Sequence, residues 1–133
     1  MSVALLCASL LLGQAATPAR PADPREQLVT AIAHGVRLLE AREFARFLQE
    51  FVSPLEIKSV LGSEPGAPID PKVAANFAED KAAQVLQALR DAQKATPVFE
   101  NDGRLAVYPL RTPIGGRSAM AFTKVGKYWY IKN

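Results

Sequence analysis

The last sixteen residues, Ser118 to Asn133, constrain the fold most strongly. Apolar and polar side chains alternate on either side of Gly126-Lys127, the pattern of two β-strands joined by a tight turn. The only Trp and two of the three Tyr lie in the final strand. A long stretch of helical periodicity precedes this hairpin. Helices first and an antiparallel meander last define an α+β domain. The expected architecture is N-terminal helices packed on a C-terminal antiparallel meander of about four strands.

Three helix starts are announced by one device. Asp23-Pro24, Ser53-Pro54 and Asp70-Pro71 each place a capping side chain before a proline suited to the first helical position. Glu26 and Glu56 complete a capping box at the first two. The expected helices cover residues 24–40, with Leu28, Ile32, Val36 and Leu39 on one stripe, and residues 54–61, stopped by Gly62. The longest covers 71–93, with Val73, Phe77, Val85, Leu86 and Leu89 inward. Between the first two, Phe44, Phe47, Leu48 and Phe51 form another apolar face. Arg42, Glu43, Arg46 and Glu50 lie on its other side as a solvated charge cluster. Residues 62–69 form a Gly/Pro loop.

The strands are expected at 97–100, 104–110, 117–124 and 128–132. Asn101-Asp102-Gly103 closes the first hairpin, because this triplet accepts positive φ. Thr112-Pro113-Ile114-Gly115-Gly116 makes a looser connection. Trp129 and Ile131 fall on one face of the last strand, Tyr128 and Tyr130 on the other. The first face is assigned to the core and the second to half-exposure.

At the other end of the chain, Val3 to Leu12 is an uncharged and mostly apolar run, followed by small residues in a Gly13-x-Ala15 pattern. That order reads as a secretory signal over residues 1–16, with the mature protein starting near Ala16 or Thr17. The run is too short for a bilayer core of roughly 30 Å. Leu6 before Cys7 disfavours lipid attachment. Residues 17–23 form an extended leader, and 24–133 a single domain. The expected location is periplasmic or extracellular, and the mature domain, without cysteine, would rely on its core alone.

Catalytic constellations are scarce. His34, the only histidine, lies beside the apolar stripe of the first helix, a packing position more than a base. No Ser/His/Asp or Cys/His set can be assembled. Glu79 and Asp80 are adjacent on a helix and point different ways. No phosphate loop precedes a helix, and no cluster has metal-ligand spacing. Neither a cofactor nor a metal is expected.

Charge is unevenly spread. After Asp102 there are six basic residues and no acidic ones; the chain carries +3 overall, so the part up to Asp102 carries −3. Arg104, Arg117, Lys124 and Lys127, with Tyr128 and Tyr130, are the candidate ligand-binding residues of a basic, aromatic sheet. Such a surface suits an anionic surface or a protein partner. Export disfavours nucleic acid. The same cations also serve simply to keep edge strands soluble.

Leu38-Leu39-Glu40-Ala41-Arg42-Glu43-Phe44, Phe51-Val52-Ser53-Pro54 and Ala121-Phe122-Thr123-Lys124-Val125-Gly126-Lys127-Tyr128-Trp129-Tyr130-Ile131 together resemble the nuclear-transport-factor-two-like superfamily. This is the cystatin-like, or ketosteroid-isomerase-like, α+β cone, and the chain is most similar to its small secreted bacterial members. The resemblance implies a cone that either binds a ligand or, with inward carboxylates, His or Tyr, catalyses. It also implies homodimer formation through the sheet. No catalytic motif of the superfamily transfers residue by residue. The expected function is therefore an exported, non-enzymatic binding or accessory module of the cell envelope. The alternatives are a small cone-fold enzyme acting on an apolar substrate, and a structural or oligomerising domain.

Overall fold

The computed structural model describes residues 22–132; the expected signal sequence over 1–16 and most of the expected leader over 17–23 lie outside them. A 3₁₀ turn (Pro24–Glu26) opens the domain. Helices α1 (Leu28–Glu40), α2 (Phe44–Phe51), α3 (Ile57–Leu61), α4 (Pro71–Asp80) and α5 (Ala82–Gln93) follow. Strands β1 (Val98–Glu100), β2 (Leu105–Ile114), β3 (Arg117–Val125) and β4 (Tyr128–Lys132) form one antiparallel sheet in the order β1-β2-β3-β4. The α+β class and the terminal meander stand as expected.

The helix boundaries differ from the sequence reading in three places. Asp23 does cap, its carboxylate accepting from the Arg25 N–H at 2.9 Å, but what it caps is the 3₁₀ turn. Gln27 is extended, at ψ 137°, and separates that turn from α1. At Ser53 the hydroxyl accepts from the Leu55 N–H at 3.2 Å, and the helix starts only at Ile57. The 71–93 helix is broken at Lys81, with φ −132° and ψ −25°. No Gly or Pro forces this break. The two halves serve different partners: α4 sets Phe77 against Phe44 and Phe47 of α2, whereas α5 packs on α1 and β2.

Helix α1 is the centre of the core. Leu28, Ala31, Ile32, Leu38 and Leu39 are buried on it, well beyond a single stripe. It makes room for Leu89 of α5 at Gly35, where a Cβ would stand 3.2 Å from Leu89 Cδ1. A Schellman motif ends α1, with the Arg42 N–H on Leu39 O (3.1 Å) and the Glu43 N–H on Leu38 O (2.9 Å). It holds Arg42 in the left-handed region at φ 61°.

In the sheet, Ala106, Tyr108, Phe122 and Trp129 face the helices. Asn101, Asp102 and Gly103 all take positive φ in the first hairpin. The connection expected to be loose is instead strand: β2 runs to Ile114 and turns at Gly115-Gly116. A register shift between Pro109 and Ile114 takes up the extra residues. Prolines 109 and 113 are tolerated there because β1 pairs only with residues 105–107, so that side of β2 has no further partner to lose. The free edge of β4 is partly covered by Val52, which leaves α2 extended and bridges in parallel to Ile131. Tyr130, assigned to the half-exposed face, is buried. The 3₁₀ turn lies against β4, and the Arg25 guanidinium sits 4.3 Å from the Tyr128 ring centre and 6.0 Å from that of Tyr130.

Candidate functional site

An apolar concavity opens beside the helix break. Phe77, Val85, Met120 and Ile131 pack against the core but stay partly uncovered. Together with Phe47 and Phe51 they line an inner compartment of about 280 Å³ between the helices and the sheet. A second compartment of about 560 Å³ adjoins it, lined by Ala88, Leu110 and Ile114. Lys81, Val85, Met120 and Ile131 border both, so the two adjoin across these side chains. The charged residues of the outer compartment are Lys81, Arg117 and Lys132, all cationic. Asp80 borders the inner one. Lys81, Arg117 and Lys132 are exposed, and among the described residues none of them pairs with a carboxylate.

A separate polar cleft lies at the start of the domain, lined by Asp23, His34, Arg46, Glu50, Lys127 and Tyr128. Here His34 is packed rather than solvent-facing, and Glu50 departs from the solvated face expected of it. His34 is buried, and its Nε2 lies 2.9 Å from Glu50 Oε1. A carboxylate only accepts, so Nε2 carries the hydrogen. Arg46 Nε donates to the other Glu50 oxygen at 2.6 Å. Glu50 is thus a half-buried acceptor on the inner side of the charge cluster, and only the rest of that cluster is a solvated face.

Arg25 closes the cleft. It donates to both Asp23 oxygens (3.1 and 2.9 Å) and to the Glu50 carbonyl (3.3 Å) while stacking on Tyr128. The hydrogen bond from Arg25 holds the Asp23 carboxyl below its ordinary range. Burial alone would lower the Arg25 pKa, but the Asp23 hydrogen bond and charge outweigh it and the net direction is upward. Burial pushes the Tyr130 phenol up. These groups satisfy one another, which makes the cluster a clasp between the 3₁₀ turn, α1, α2 and β4.

The six sequence candidates fall into three places. The Arg104 carbonyl accepts from the Lys124 N–H at 2.8 Å, so these two are neighbours. Lys124 is registered with Trp129, on the face opposite Tyr128 and Tyr130. Lys127 and Tyr128 line the polar cleft, and Tyr130 is buried beside it. Arg117 stands at the other end of β3, roughly 23 Å away along the strand at about 3.3 Å per residue. It is the one candidate that borders the apolar groove.

Sequence reasoning missed Lys81 and Lys132 as groove residues. For Lys81 a signal exists: Val73, Phe77, Val85 and Leu89 recur every fourth residue, and Lys81 occupies the remaining position of that stripe. A cation on an apolar stripe marks a place where the stripe is not sealed. Lys132 gives no such signal.

No protein family, curated protein or solved structure matches this chain.

Proposed function

We propose that this protein is a non-catalytic binding module that holds an apolar ligand in the groove between its helices and its sheet. One observation carries the reading: Phe77, Val85, Met120 and Ile131, which belong to the core by position, remain partly uncovered and line adjoining concavities between helices and sheet. Its two compartments fall near the range of small-molecule sites, roughly 300–1,000 Å³. Binding is favoured over catalysis because the hydrogen-bonded pair of buried His34 and half-buried Glu50 lines a different cleft, where Glu50 is engaged with Arg46 and Arg25. The wider proposal is an exported accessory module of the cell envelope, supported by the Val3–Leu12 run, with kinship to the cone superfamily supported by the terminal hairpin residues. Intact-mass measurement on protein from a secreting host tests export; a species that retains residues 1–15 would contradict it.

The groove has a built-in reporter. The chain holds two methionines, Met1 and Met120, and Met120 borders both compartments. In protein carrying ¹³C-methyl methionine, titration with decanol should shift the Met120 methyl resonance saturably. A Met120 signal that stays fixed while decanol reaches its solubility limit would refute the groove as a binding site.

A further inference from the structure

The geometry points to a specific ligand chemistry: a single-chain amphiphile with an anionic head, its tail in the inner compartment and its head in the outer one. This rests on the groove reading just given and adds the charge and size of the occupant. The charge follows from the rim. Lys81, Arg117 and Lys132 supply the outer compartment's charges, and they reach it from α5's start, from the β2–β3 hairpin and from the end of β4. No carboxylate lines that compartment among the described residues. A neutral apolar ligand gains nothing from three cations, and a cationic head would be repelled by all of them. An acidic head placed there meets opposite charge on three sides.

The size follows from the inner compartment. Its lining is dominated by Phe47, Phe51, Phe77, Val85, Met120 and Ile131. At about 30 Å³ per water-sized group, 280 Å³ holds roughly nine methylene-sized groups. Lys81 borders both compartments, so a head bound to it leaves the tail pointing inward. The expected occupant is thus a medium-chain carboxylate, sulfate or phosphate monoester taken up as a monomer. Each methylene added up to about the ninth should tighten binding roughly fourfold, and longer chains should gain less.

Calorimetry on the full chain at low salt, below the micellar concentration of each probe, tests this with decanoate, decanol and decyltrimethylammonium. Decanoate should bind on the order of thirtyfold tighter than decanol, at roughly threefold for each of the three exposed cations. Decyltrimethylammonium should bind more weakly than decanol. Added salt should erase most of the decanoate advantage. Arg117→Glu together with Lys132→Glu should bring decanoate down to the affinity of decanol, while Arg37→Glu on exposed α1 leaves it unchanged. Val85→Trp, which fills the groove, should weaken decanoate and decanol alike. If decanoate and decanol bind equally, the anionic inference is overturned and the apolar groove stands. If decanoate binds tightly but ignores Val85→Trp, the cations act as a plain surface and the inference is again overturned. If no probe binds, the groove reading itself fails and takes this inference with it. Circular dichroism of each variant confirms that it is folded. Lys81→Glu is held in reserve because Lys81 also sits at the helix break.

Discussion

Gly35 offers a test of how tightly the helical layer is packed, because two opposing effects of known size meet there. It lies inside α1, where alanine would gain about 1 kcal/mol of helix propensity. The added methyl, fully buried, would contribute about 0.8 kcal/mol more. Against this, an alanine Cβ would stand 3.2 Å from Leu89 Cδ1, 3.3 Å from Phe47 Cε2 and 3.4 Å from Phe51 Cζ. Carbon atoms prefer separations of about 3.5–4.0 Å. Leu89 is 0% exposed and Phe51 1%, so neither has free space to retreat into. Overpacking of this kind costs about 1–3 kcal/mol. The upper part of that range applies when the neighbours are immobile, and Gly35→Ala is therefore expected to destabilise by about 1 kcal/mol. Gly35→Val, with two more methyls against the same wall, should lose about 3 kcal/mol. Urea unfolding reads both as a lower midpoint at unchanged slope. Leu89→Val withdraws the nearest atom, so it should partly rescue Gly35→Ala, with a favourable coupling of about 0.5 kcal/mol or more. A Gly35→Ala protein that is more stable than the parent by about 1 kcal/mol, uncoupled to position 89, would show that the α1–α5 contact yields and that the argument is wrong.

Arg42→Gly should stabilise by about 1 kcal/mol, since φ 61° strains any side chain with a Cβ and the Arg42 guanidinium is 5.9 Å from the Phe44 ring, a weak contact to lose; a lower thermal midpoint would contradict this. Glu50→Ala strands the buried His34 hydrogen and should cost about 1–3 kcal/mol, whereas Glu50→Gln keeps an acceptor and should cost clearly less. Equal urea midpoints for the two variants would mean that the His34–Glu50 bond contributes nothing. Tyr130, like Tyr108, contributes to the alkaline limit: burial raises its phenol above the ordinary 10.0, so the folded state holds this proton more tightly than the unfolded chain. Its contribution is complete below pH 10.0 and is lost as pH rises through the raised value, and Tyr130→Phe should flatten that decline in thermal midpoint measured from pH 8 to 11.5.

Much of the fold is legible in the residues because it is written in short-range chemistry. Asp70 caps as read, Gly62 ends α3 at φ 70°, and Asn101-Asp102-Gly103 turns where positive φ is needed. What the sequence conceals is set at long range. The break at Lys81 follows from α4 and α5 having different partners, which propensity does not encode. Tyr130 is buried because the 3₁₀ turn returns to β4 from the other end of the domain. His34 and Glu50 are 16 residues apart on different helices, and helical spacing alone places neither against the other. Of the six basic and aromatic candidates, the length of β3 separates Arg117 from Lys124, and pairing with Trp129 puts Lys124 on the face opposite Tyr128 and Tyr130.

The groove and the broken helix have one cause. A straight helix through residues 71–93 would present Val73, Phe77, Val85 and Leu89 as one stripe to one partner, with Lys81 in its middle. Burying that ammonium without a partner would cost several kcal/mol. Breaking the helix at Lys81 instead lets each half seek its own contact and leaves the cation at the surface. The seam between the halves then stays open over Phe77 and Val85, and Met120 and Ile131 of the sheet form its floor. The residue that would be least compatible with a sealed core is thus the one that borders both compartments. Local preference and global packing disagree at this point and agree along most of the chain, and such disagreement is where a folded domain tends to carry its function.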